Sequence, residues 1–221
     1  MTEQIKDRAE AGRLLAARLG AYAGRSDVIV LALPRGGVPI AFEIAKALRA
    51  PLDVFLVRKL GVPGFEELAL GSLTINGTQV VDPDVVEEFG LTDDQIAKIV
   101  ANEKLELERR DDLYRQFRHP LNVKGRTVIV VDDGVATGST IRAAIRALRE
   151  MNCGRIVIAV DVAPLRICLF LGSEADEVVC LRMPSEFYAV GQFYEHFPQL
   201  TDEEVVDFLK RAEPTGTRSA A

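Results

Sequence analysis

Apolar residues in this chain gather into short unbroken runs, and between the runs they recur at helical spacing among charges. Residues 28–33, 52–57, 127–132, 155–160 and 178–182 form the runs, rich in Val, Ile and Leu. A strand covered on both faces reads as such a run, so these are expected to be strands of a parallel sheet. Residues 5–19 place Ile5, Leu15 and Leu19 among charges and stop near Gly20 and Gly24, which predicts an amphipathic helix. Further helices are expected over 38–49, 139–151, 165–171 and 201–211. Strand and helix thus alternate, which predicts an α/β fold: a doubly wound parallel sheet flanked by helices.

The middle of the chain breaks this rhythm. Arg58 to Gly64 is rich in Gly and Pro and reads as a loop, and 68–75 with 78–81 flank the turn dipeptide Asn76-Gly77, the pattern of a β-hairpin. Thr92-x-x-Gln95 is a capping box opening a long charged helix to about Phe117, ended by His119-Pro120. Its charges read as a solvated face. The expected organisation is one domain over 1–213, with a flap near 65–82, inserted helices near 83–118 and a C-terminal hood near 183–211. Pro214 to Ala221 reads as a disordered tail.

Composition narrows the field. With 221 residues, 48% of them hydrophobic, the chain can bury one substantial α/β core. A net charge of -6 argues against a nucleic-acid-binding surface, which needs a basic face. Cys153, Cys168 and Cys180 lack C-x-x-C spacing or clustered His, so they read as buried small residues. Met1 to Ala11 is charged throughout and no apolar run approaches membrane-spanning length, so a cytoplasmic protein with no membrane partner is expected. Asn76-Gly77-Thr78 matches a glycosylation sequon but is better read as the hairpin turn.

The chemistry concentrates in Val128 to Thr140, VIVVDDGVATGST. The strand ends in Asp132 and Asp133, at the edge where open α/β sheets bind ligands. Small residues then lead into a helix, whose first amides and positive dipole end favour an anion such as phosphate. Two carboxylates can accept hydrogen bonds from vicinal hydroxyls or hold a divalent cation through water. A ribose carrying a 5′-phosphate presents both features. Gly134-Val-Ala-Thr-Gly138-Ser-Thr is one residue short of a Walker loop and lacks its Lys. A D-x-D-G phosphatase would need Asp where Val131 stands. An ordinary buried strand whose carboxylates cap the next turn is the alternative without function.

The segment resembles the PRPP-binding signature of type I phosphoribosyltransferases. That resemblance assigns Asp132 and Asp133 to the ribose hydroxyls and to the neighbourhood of Mg²⁺. It assigns Val135, Ala136, Thr137, Gly138, Ser139 and Thr140 to the 5′-phosphate loop. Leu33-Pro-Arg35-Gly36-Gly37 resembles the family's pyrophosphate loop, particularly its S-R-G-G form in bacterial xanthine-guanine enzymes; alone it would read as a glycine turn with a surface Arg. Val57-Arg58-Lys59-Leu-Gly-Val-Pro-Gly64 resembles the R-K-x-G-K-L-P-G stretch of adenine phosphoribosyltransferases, so Arg58 and Lys59 would face pyrophosphate and Phe65 to Gln79 would be a mobile flap. Surface cations without a role are the alternative.

Met183 to Glu195 resembles the P-D-K-F-V-V-G-Y-x-L-D-Y stretch of hypoxanthine-guanine enzymes. Matching on Val190-Gly191 puts Tyr188 at the position that stacks on the base and Glu195 at the acidic one, with Phe187 competing for the stack. Simple core packing is an equal alternative. Two departures matter. Where the 6-oxopurine enzymes carry an Asp before Thr-Gly, this chain has Ala136, and near their Lys it has Glu174. The Ala-Thr-Gly form matches adenine phosphoribosyltransferases, whose flap Glu finds counterparts in Glu66 and Glu67, Glu67 being the catalytic candidate.

The resemblance implies transfer of the 5-phosphoribosyl group of PRPP to a small, purine-like nitrogenous base, with Mg²⁺ as cofactor and a homodimer as the assembly. Asp133→Asn is expected to weaken PRPP binding without unfolding. The alternative is a regulator that senses PRPP without turning it over.

Overall fold

A computed structural model describes residues 4–75, 77–115 and 121–212, leaving the side chains of Glu66, Glu67 and Ala69 outside that description. The expected turn residue Asn76, the helix end at Phe117 with His119-Pro120, and the tail lie outside the described residues.

Helix α1 (Arg8–Arg18) is capped by Asp7, whose carboxylate accepts the Glu10 amide. Then come β1 (Val28–Ala32), α2 (Gly37–Leu48) and β2 (Leu52–Val54). After the middle segment follow β6 (Thr127–Gly134), α5 (Ser139–Glu150), β7 (Arg155–Val162), α6 (Leu165–Glu174), β8 (Glu177–Arg182) and α7 (Asp202–Arg211). The five strands form a parallel sheet in the order β2-β1-β6-β7-β8. This is the predicted doubly wound sheet, and the Val/Ile runs are explained by it. Val128 to Val131 are fully buried because β6 has a strand on each side and helices on both faces. One apolar layer joins the sheet to α1, α2 and α7, and the other joins it to α5 and α6.

The middle segment differs from expectation. Residues 58–64, read as a loop, largely form β3 (Val57–Val62), which pairs antiparallel with β4 (Phe65–Thr74); β4 in turn pairs with β5 (Gln79–Val81). The first hairpin turns at Pro63-Gly64, and the register shifts around Gly61. The Gly and Pro residues thus mark one turn and one bulge rather than a whole loop, and partners in β4 supply the hydrogen bonds that hold the rest extended. Strand β2 correspondingly ends at Val54.

Two helices follow, α3 (Pro83–Phe89) and α4 (Asp93–Arg115). The capping box forms, with the Thr92 amide donating to Gln95 at 2.9 Å and the Gln95 amide donating to Thr92 at 3.3 Å. The solvated-face reading of α4 is corrected in part. Arg115 is buried and donates to Asp53 at 2.5 Å and to the Val54 carbonyl at 3.1 Å. Tyr114 is fully buried against Asp202, and Glu103 accepts from Arg58. These contacts pin α4 across β2 and α7. The three cysteines are buried free thiols, as expected. Among the described residues no helix is long and apolar enough to cross a membrane.

Candidate active site

Strand β6 carries Asp132 and Asp133 to the carboxyl edge of the sheet, and the loop Leu33 to Gly37 after β1 meets them there. That loop contains a cis peptide between Pro34 and Arg35. Its glycines are required by proximity: a Cβ on Gly36 would lie 2.0 Å from Asp133 Oδ2, and one on Gly37 would lie 2.4 Å from the Val131 carbonyl oxygen. Only a backbone without side chains can run so close to the acidic pair. Arg35 stands half-buried near Asp202, 4.0 Å away.

The segment after β6 forms the other wall. The Val135 amide bonds the Val162 carbonyl at 2.8 Å, fixing the loop to β7. Gly138 has φ +82, a left-handed conformation that favours glycine, and it caps α5. Ala136 and Thr137 are exposed, and Thr137 and Ser139 share a hydroxyl contact of 3.1 Å. The result is a helix start with two hydroxyls, where the Ser139 amide bonds the Thr137 hydroxyl at 3.5 Å and the amides of the first turn face outward from the helix end, the arrangement that accepts phosphate.

Arg58 donates to Glu103 at 2.6 Å and lines a small cavity with Pro34, Val57, Leu107, Arg110 and Thr140. The Leu33–Gly37 loop, the start of α5 and strand β3, distant in sequence, therefore meet around one space. Lys59, next along the extended strand, points to the opposite face of the sheet. The side chain of Glu67 lies outside the described residues.

The carboxylates differ in surroundings. Burial and the neighbouring Asp133 push the Asp132 carboxyl well above the ordinary range. Burial also raises Asp133, but Arg8 opposes it, donating through Nε at 2.9 Å with Nη2 at the same distance. Nothing in the sequence singles out Arg8, where it is one charge of α1, 125 residues from its partner. Asp161 escapes the sequence reading as well. It is fully buried at the end of β7, bound by Arg182 through Nε at 3.2 Å, and burial raises its carboxyl while Arg182 counters. A lone carboxylate closing a Val/Ile run is the available signal, the same one that marks Asp132.

The hood closes over this edge. Val190 lies against Gly134, and Tyr194 donates to the Asp133 carbonyl at 3.0 Å. Phe187 packs on Phe193 with ring centres 5.6 Å apart, Tyr188 is 84% exposed, and Glu195 is exposed with its amide bonded to the Ile5 carbonyl. Glu174, near the place of the family's Lys, is held by Arg142 at 3.0 Å. Among the described residues no cluster of three or more His, Cys, Asp or Glu could hold a metal alone.

Comparisons agree with this geometry. A Mycobacterium tuberculosis H37Rv protein provisionally named a phosphoribosyl transferase is 47% identical over 206 residues, 93% of this chain and 46% of that protein. The chain thus spans about half the length of that curated relative. A protein named bifunctional protein PyrR, from Chloroflexus aurantiacus, is 32% identical over 129 residues, 57% of this chain and 65% of that one. The crystal structure of TT1426 from Thermus thermophilus superposes with a TM-score of 0.84 at 39% identity, covering 96% of this chain and 100% of that one. The profile of the phosphoribosyl transferase domain matches residues 1–166, and on that match together with the fold the chain belongs to the phosphoribosyl transferase domain family.

Proposed function

We propose that this domain transfers the 5-phosphoribosyl group of PRPP to a purine-like nitrogenous base and releases pyrophosphate. The observation that carries the reading is the convergence at one sheet edge of the acidic pair, the phosphate loop at the start of α5 and the Pro34–Gly37 loop lying on Asp133. Asp132 and Asp133 would receive the ribose hydroxyls, the segment Val135 to Thr140 the 5′-phosphate, and Arg35 and Arg58 the pyrophosphate, while Lys59, on the other face of β3, lies away from that space.

The C1′–O bond to pyrophosphate breaks and a C1′–N bond to the base forms, with the base's displaced proton passing to solvent or to a flap carboxylate. Charge develops on the departing pyrophosphate, so cations fixed beforehand stabilise the transition state more than the ground state. Ribose and phosphate held from two walls orient C1′ for attack. Mg²⁺ bound with PRPP supplies Lewis-acid stabilisation of the leaving group, and Asp132 with Asp133 would hold it from the protein side. The hood over the acidic pair excludes water that would otherwise capture C1′. A homodimer is part of the proposal, checked by light scattering.

A second reading is a PRPP sensor without turnover. Ala136 is compatible with it, since no acid stands where the 6-oxopurine enzymes have one. Pyrophosphate release is measured with Mg²⁺-PRPP and a panel of nucleobases. Release with one base, lost in Asp132→Asn, is the expected outcome. PRPP binding without release would favour the sensor, and no PRPP binding would sink both.

A further inference from the structure

Arg8 is the residue that joins parts of the molecule which the sheet does not connect. It sits at the start of α1 and is 8% exposed. Two of its nitrogens reach Asp133 Oδ2 at 2.9 Å. A third, Nη1, donates to the Pro198 carbonyl at 2.8 Å, and the guanidinium lies 3.8 Å from the centre of the Phe197 ring. A planar fork that spends its donors in different directions while stacking on an aromatic face is fixed in position in a way that a lysine, which keeps the charge but not the fork, reproduces only in part.

Asp133 is correspondingly held. Arg8 grips one of its oxygens, the Gly36 backbone packs against its carboxyl group, and Tyr194 binds its carbonyl. Asp132, by contrast, shows among the described residues the local bond from the Asp133 amide to its own Oδ1, at 2.9 Å, and no other. One carboxylate of the pair is clamped between α1, the hood and the Leu33–Gly37 loop, and the other, partly exposed, has no such clamp among the described residues.

We infer that Arg8 is a positioning residue of the ribose site: it clamps Asp133 and, through Pro198 and Phe197, ties the hood to the acidic pair and to the Gly36 backbone. This rests on the proposed reading of that edge as the PRPP site. It makes the first helix and the C-terminal hood necessary for the grip on ribose, although neither contributes a strand to the sheet. Asp132 then carries the larger share of direct ligand contact.

The test titrates Mg²⁺-PRPP calorimetrically into the full chain and into Arg8→Met, which keeps an apolar stem, Arg8→Lys, which keeps the charge, and Arg25→Met, which removes a surface pair with Asp27 at the amino edge of the sheet. Affinity falls about tenfold or more in Arg8→Met, the scale of a lost charge-assisted hydrogen bond, and recovers in part in Arg8→Lys, while Arg25→Met binds as the parent. Undiminished binding by Arg8→Met, or no recovery with Lys, overturns the inference. If Arg8→Met does not fold, Arg8→Met/Asp133→Asn is compared with Asp133→Asn. Equal affinities support action through Asp133, and a further loss in the double variant overturns it.

If the parent chain itself does not bind PRPP, the functional reading fails and amide exchange decides the matter of Arg8. Faster exchange at Gly36 and Gly37 in Arg8→Met, or in Arg8→Lys where the former does not fold, supports the clamp. Unchanged exchange removes it.

Discussion

The two sheets meet the candidate substrate in different ways. Strand β6 lies in the centre of the parallel sheet, with Val128 to Val131 fully buried and every residue from Thr127 to Asp132 paired with β7. Strand β4 is longer, yet it carries Phe65 at 61% and Leu68 at 39% exposure, and the β3–β4 pairing shifts register twice. The first sheet carries the acidic pair on a strand buried and paired on both sides, and the second carries Arg58 on a strand paired with one that leaves apolar residues exposed, the kind of frame that opens more easily. On the proposed function, the grip on ribose would be built for precision and the grip on pyrophosphate for adjustment. A leaving group that must be bound, stabilised and then released is served by that division.

The sharpest way to break the comparison is to hollow each sheet. Ile129→Ala, at a fully buried position in β6, should cost about 2–5 kcal/mol, whereas Leu68→Ala in β4 should stay within about 0.5 kcal/mol. Urea denaturation monitored by circular dichroism measures both, and similar midpoints would remove the distinction. Gly36→Ala tests the join between loop and acidic pair. Its new methyl meets Asp133 Oδ2 at 2.0 Å, so about 1–3 kcal/mol of stability and most PRPP affinity should be lost, read by thermal melting and calorimetry.

Asp132→Asn should separate function from stability. The raised carboxyl takes up protons more readily in the folded protein than in the unfolded chain, whose aspartate pKa is near 3.8. Stability from this group is therefore present at low pH and is lost as pH rises from that value through the folded one. Near neutral pH the substitution removes a buried charge, and a gain of about 1 kcal/mol would raise Tm by about 2–4 °C. The gain should vanish in acid, and PRPP binding should be lost. A Tm that falls at neutral pH would contradict the assignment. A small stability effect is expected for Arg58→Gln as well. Its pair with Glu103 is partly solvent-exposed, so it should change stability by no more than about 1 kcal/mol. Pyrophosphate affinity should nevertheless drop about tenfold, measured by competition against PRPP.

The site is legible in the sequence where chemistry and local structure coincide. Val128 to Thr140 contains strand, carboxylates, loop and helix start in one stretch, and each forms where the pattern puts it. The loop Leu33 to Gly37 is legible for the same reason. Residues 58–62 read as a loop because their cations and glycine look like punctuation, and only the partner β4 makes them a strand. The charges of α4 read as solvated because helical periodicity cannot tell a surface from a cleft between elements; Arg115 and Glu103 find partners far along the chain.

Asp133 shows the limit most clearly. Its residue type and place announce a ligand carboxylate, and the sequence alone predicts that an Asn there affects binding without unfolding. With Arg8 buried on it, the same substitution also removes an arginine's partner, so a loss of stability of about 1–3 kcal/mol should accompany weaker binding.

By itself the sequence determined the parallel sheet, its helices, the place of the acidic pair and the loop that opens α5, because each depends on hydrophobic period, capping or turn chemistry within about a dozen residues. Tertiary structure alone decided that Arg8 clamps Asp133, that Arg58 lines a cavity with Pro34 and Thr140, and that Asp161 and Tyr194 join the hood to the sheet edge. Those contacts depend on which distant elements pack together, and burial of two apolar faces brings them together without leaving a local mark on the chain.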